Sequence, residues 1–177
     1  IIGLSSLVFM VNTSYASWQL VWAAVYAVWL LFIKQGSSVL KISLQAGLGQ
    51  VFGLMALYMG WGDAPAVVLI IASWAVCYLS ARHFFTSFDE PYSSLLSHYW
   101  GYFAGALAWV LSHWLIYYGV LAQVTLILSV LGFGLAALYY LDKFDRLSTL
   151  LRRQFVFIMV AILVVVIVFS NWGDKTI

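Results

Sequence analysis

The sequence predicts an all-α, polytopic transmembrane helix bundle with six full spans and a short N-terminal apolar segment. Three observations carry this expectation. Of 177 residues, 65% are hydrophobic and 8% charged, with a mean hydropathy of +1.02. That is too little polar surface to cover a soluble globule of this size. The charges are spaced to leave several apolar stretches of roughly 20 residues, the length that crosses a bilayer as a helix. Runs such as FVFIMVAILVVVIVF do not alternate polar with apolar as a barrel strand would, so the backbone must satisfy itself within helices.

The elements follow from breaking the chain at its polar clusters. Residues 1–11 form a partial segment too short to span, read as part of a truncated span or, alternatively, as a signal-peptide core with a small-residue cleavage site after Ala16. Full spans are expected near 17–33, 41–61, 65–81, 94–118, 120–141 and 153–171, all within one integral membrane domain, 1–177. The breaks carry turn chemistry in VNTSYAS, KQGSS, GWGDAP and YYGV. Asn12-Thr13-Ser14 matches a glycosylation sequon close to the membrane. The inner stretch LDKFDRLSTLLRR, 141–153, reads as a short interfacial helix with an Asp142–Arg146 pair at i, i+4. The last span, with Ala161 its one small residue, reads as lipid-facing at the edge of the bundle.

Six alternating spans place Lys34, Lys41, Arg82, Lys143, Arg146, Arg152 and Arg153 on one side, and Lys175 alone on the other. The positive-inside rule makes the first side cytoplasmic. Loops 34–41, 82–94 and 142–153 are then inside, with the C-terminus outside, most simply in a bacterial cytoplasmic membrane. Aromatic residues cluster at both sets of helix ends, as headgroup anchors do. Trp18, Trp61, Trp114, Trp172, Tyr15, Tyr58, Tyr117 and Tyr118 mark the outer ends, and Tyr92, Tyr99, Trp100, Tyr139 and Tyr140 the inner ones.

One stretch, SARHFFTSFDEPYSSLLSHYW at 80–100, crowds polar residues between apolar runs. Ser87-Phe88-Asp89-Glu90 matches a capping box, with Pro91 in the first turn of the next helix and both acids at the favourable end of its dipole. If the stretch is also a site, Arg82 is the anion contact, His83 or His98 the proton carrier, and Asp89 or Glu90 the base or orienting acid. No HExxH, GxSxG or Walker sequence fixes a reaction class.

Elsewhere Gln45, Gln50, Ser112 and Gln123 read either as helix-packing polar groups or as the lining of a polar path. Gly49-x-x-x-Gly53 and Gly101-x-x-x-Gly105, with Gly132 and Gly134, permit close approach among the spans at 41–61, 94–118 and 120–141. His98 and His113 lie 15 residues apart on one span, about 22 Å of rise, so they cannot share a metal. Cys77 stands alone, without a disulfide partner or a CxxC motif. No acid or base falls at mid-span, which argues against proton pumps, voltage sensors and retinal proteins.

No cofactor, metal site or nucleic-acid partner is expected. The bilayer is the expected surrounding, with a homo-oligomer or partner membrane subunits as the expected assembly. The favoured reading is a non-enzymatic multi-pass membrane protein, either a small transporter or channel or an integral subunit of a membrane complex. Two alternatives stand beside it: a membrane enzyme acting on a lipid or lipid-linked substrate at the cytoplasmic face, and an electron-transfer subunit.

Overall fold

A computed structural model describes residues 1–34, 38–113, 117–118 and 121–171. Among these, α1 (Ile2–Val11) and α2 (Ala16–Val28) are followed by one π-helical turn (Trp29–Ile33). Then come α3 (Val39–Trp61), α4 (Ala66–Ser87), α5 (Ser93–Ser112), α6 (Gln123–Lys143) and α7 (Thr149–Phe169). Five helical stretches are long and apolar enough to cross a membrane, namely Ala16–Ile33, Lys41–Trp61, Ala66–Ser87, Gln123–Lys143 and Thr149–Phe169. The sixth expected span, α5, has 20 residues but falls outside that set, because Ser93, Ser94, Ser97, His98, Tyr99 and Tyr102 dilute its first half.

Several boundaries move. Helix α4 runs six residues past 81, carrying Arg82 and His83 inside it. The span expected to reach 118 ends at Ser112, and Tyr117–Tyr118 instead pair antiparallel with Leu121–Ala122. Gly119 and Val120 of the YYGV turn, the Gln35–Ser37 part of KQGSS, Trp114, and the tail from Trp172 with Lys175 lie outside the described residues. The interfacial helix expected at 141–153 is absent: α6 continues to Lys143 and α7 begins at Thr149. Ser148 caps α7 by accepting from the Leu151 amide at 3.2 Å, as Ser38 caps α3 by accepting from Lys41, each satisfying an amide that a helix start leaves open.

The capping box is overturned as well. Ser87 is the last residue of α4 and its hydroxyl donates back to the His83 carbonyl at 2.7 Å. The same four residues end a helix rather than begin one. The Glu90 amide bonds to the Phe85 carbonyl at 3.1 Å and the Asp89 amide to Thr86 at 3.2 Å, with Asp89 at φ 51. This 6→1 and 5→2 pattern around a left-handed residue is a Schellman motif. Helix α6 ends in the same way: the Arg146 amide bonds to Leu141 at 2.9 Å, the Asp145 amide to Asp142 at 3.0 Å, and Asp145 has φ 53. In both turns a Phe-Asp pair supplies the cap and the left-handed residue.

The core follows side-chain size. Helices α4 and α5 pack along their length, with Gly101 seated against the Trp74 and Tyr78 side chains and Ala104 and Ala108 fully buried. Leu54, Leu57, Leu69 and Leu128 join them in one cluster. Helix α1 lies beside the second half of α3, Ile1 against Gly53 and Val8 against Gly60, and its Phe9 meets Trp22 and Phe52. Helix α7 packs on α6 and buries only Val166 of its own residues.

Candidate functional site: a cavity at the basic end

Polar ties join the helix ends that carry most of the basic residues. The Gln45 amide donates to the Ile33 carbonyl at 2.6 Å and its oxygen lies 2.9 Å from His83 Nε2, drawing the ends of α2 and α4 to the start of α3. Glu90, in the α4–α5 turn, is buried and forms an ion pair with Lys143 at the end of α6, while the Tyr139 hydroxyl donates to its other oxygen at 2.9 Å. The hydrogen bond from Lys143, aided by that of Tyr139, holds the Glu90 carboxyl below its ordinary range, against the upward push of burial.

Between these ties lies a cavity of about 1270 Å³ bounded by α3, α4, α5, α6 and the loop into α7. Its walls are apolar and aromatic, among them Phe84, Phe103, Phe133 and Ala136, and Asp142, Arg146 and Arg152 stand at its rim. It exceeds the roughly 300–1,000 Å³ typical of small-molecule sites. Two packing facts shape it. The Phe133 ring lies directly on Gly47, where an added Cβ would come within 2.1 Å of Cζ. Gln50, 7% exposed, accepts from Trp100 Nε1 at 3.0 Å and donates to the Leu128 carbonyl at 3.0 Å, tying α3, α5 and α6 at the inner limit. Gly132 makes room for that tie, since a Cβ there would sit 3.0 Å from both Gln50 and Trp100.

The residues singled out in the sequence do not converge on one site. Arg82 donates to the Tyr78 hydroxyl at 2.6 Å, and the His98 ring lies 4.7 Å from the Tyr78 ring with Nδ1 against the Ser94 carbonyl. His83 faces α3, Asp89 is exposed in the turn, and Glu90 faces α6. Gln45, Gln50, Ser112 and Gln123 are also apart. Ser112 donates to the Trp109 carbonyl within its own helix, and Gln123 reaches Ser170 at 3.4 Å at the opposite end of the bundle. Asp142 pairs with Arg152 at 3.4 Å rather than with Arg146. Tyr58, expected as an anchor, is buried and bonded to Ser73 at 3.0 Å. Trp100, Tyr139 and Tyr140 line the cavity.

Sequence reasoning missed the cavity itself and the Glu90–Lys143 tie, whose partners are 53 residues apart. The available signal was the repeated Phe-Asp turn, which places both loops at helix C-termini. Among the described residues, no group of three His, Cys, Asp or Glu side chains is placed to hold a metal. Neither a protein-family model, nor a curated protein, nor a solved structure matches this chain.

Proposed function

We propose that this chain is a non-enzymatic, multi-pass integral membrane protein that holds the apolar chain of a membrane lipid in the cavity at its basic end. The observation that carries the reading is the contrast within one region. The cavity walls are apolar and aromatic, while His83 is engaged with Gln45, Glu90 with Lys143 and Tyr139, and Arg82 and His98 with Tyr78. A general acid–base pair must share reach of one reacting atom, and the two candidate kinds are held apart, His83 against α3, His98 against Tyr78 of α4 and Glu90 against α6. A lipid chain needs only an apolar surface and a lateral way in.

The same reading places the basic end in the cytoplasm by the positive-inside rule, with α5 crossing as the sixth span under cover of α4. Its polar first half lies where Tyr78 and Glu90 hold the inner ends together. Transport of the bound lipid and service as a lipid-filled subunit of a larger complex both follow from such a cavity.

The test is native mass spectrometry of protein extracted in mild detergent. The wild type is expected to retain a lipid-sized mass, Ala136→Trp to lose it by filling the cavity, and His98→Ala to keep it. A bare wild-type chain, or retention unchanged in Ala136→Trp with its fold intact, contradicts the reading.

A further inference from the structure

Charge at the cavity mouth narrows what kind of lipid fits, an inference that rests on the lipid-cavity reading above. Three charged side chains stand at the rim: Asp142, Arg146 and Arg152. Arg152 and Asp142 offset one another, their side chains 57% and 67% exposed and 3.4 Å apart. Lys143, next to the rim, is taken up by buried Glu90. Arg146 forms no ion pair among the described residues. Among the residues that line the cavity, the rim therefore carries one positive charge in excess, with Asp145, the acid before Arg146, outside the lining, beside walls that favour hydrocarbon.

Backbone geometry fixes where that residue stands. Arg146 follows left-handed Asp145, and its amide is bonded to the Leu141 carbonyl at 2.9 Å. The Schellman turn thus returns the chain over the end of α6, whose residues Ala136 to Leu141 line the cavity. A guanidinium presents its donors in a fixed fork suited to phosphate oxygens.

We propose that the cavity selects an anionic phospholipid over a zwitterionic one, with the headgroup phosphate on Arg146 and an acyl chain among Phe84, Phe103 and Phe133. A zwitterionic headgroup brings its own cation to a rim that already holds one too many. Arg153 lies one residue beyond Arg152 and outside the cavity lining, so it supplies an internal control with the same change in net charge.

The experiment reconstitutes the protein in nanodiscs of phosphatidylglycerol and phosphatidylcholine, equimolar and with matched chains, and measures by native mass spectrometry the lipid that survives release. The expected result is about fivefold enrichment of phosphatidylglycerol on the wild type, the scale of one basic side chain at an anionic surface. Arg146→Gln is expected to bring the ratio to parity by lowering retained phosphatidylglycerol while phosphatidylcholine stays as it was, and Arg153→Gln to leave the enrichment in place. Thermal unfolding of both variants guards against misfolding. Parity in the wild type, or equal loss in both variants, overturns the proposal while leaving a lipid-filled cavity standing. A wild type that retains neither lipid overturns the cavity reading itself, and this proposal with it.

Discussion

At the scale of single residues, the Phe-Asp turns bear the clearest consequence. Asp89 and Asp145 hold left-handed backbone, φ 51 and 53, a conformation that costs an L-residue roughly 1–2 kcal/mol and glycine little. Each also places an acid at the unfavourable end of a helix dipole. Asp89→Gly and Asp145→Gly are therefore expected to raise stability, each by up to about 1 kcal/mol after the extra chain entropy of glycine, read as a higher Tm in detergent. Glu90 gives a second residue-scale prediction. Its carboxyl is held below the ordinary glutamate range, so its contribution is complete above pH about 4.3 and is lost as pH falls through the lowered value. Removing the cation by Lys143→Met leaves a buried carboxylate with only the Tyr139 hydroxyl as partner, which lowers Tm at neutral pH. It also reverses the slope, because a desolvated acid prefers to be protonated. Thermal melts of both proteins from pH 7 down to about pH 2 check this. The sequence made Ser87-Phe88-Asp89-Glu90 legible as a capped helix end but not as which end, since S-x-x-E reads as a start until the left-handed aspartate is seen.

At the scale of elements, glycine spacing marked faces that pack closely, but it joined α5 to α3 and α6 and missed α4. On α3, an alanine Cβ at Gly53 would stand 2.7 Å from Ile1 Cγ2 and from Val76 Cγ1, whereas at Gly49 it would meet only Ser80 Oγ at 3.5 Å. On α5, Gly101 faces Trp74 and Tyr78 atoms at 3.0–3.1 Å, while Gly105 has its nearest neighbour at 3.6 Å. Val76 is β-branched and has little rotamer freedom to yield. Gly53→Ala is thus expected to loosen the α3–α4 contact at a cost of about 1–3 kcal/mol. Gly49→Ala and Gly105→Ala should be tolerated or stabilising by up to about 1 kcal/mol, through helix propensity alone. Comparing Tm across the three variants separates these cases. The close partner of α5 proved to be α4 rather than α6, because small residues at 101, 104, 105 and 108 make a flat face for Trp74. A periodicity of small residues states that a face is flat and leaves open which neighbour covers it.

At the scale of the whole molecule, the helical, apolar character was legible from composition, and the cavity was not. Apolar runs and turn residues located the seven described α-helices, though they also called for one at 141–153 that is absent, because each run is a local property of the chain. A cavity instead depends on how far α6 stands from α5, which is set by the Glu90–Lys143 tie at one end and the Gln50–Trp100 tie within. Neither joins residues near one another in sequence. The outer helices make the useful contrast, since they expose apolar side chains without enclosing a cavity. Phe32 is 64% exposed and Phe157 74% exposed. The most direct test of a cavity-held lipid is photocrosslinking in bilayers with a phospholipid carrying a diazirine in its acyl chain, with adducts mapped by peptide mass spectrometry. Adducts on Phe103, Phe133 and Ala136 are expected to persist under dilution with unlabelled lipid longer than those on Phe32 and Phe157, and to vanish in Ala136→Trp. Adducts confined to Phe32, Phe157 and similar outward positions would contradict a cavity-held lipid.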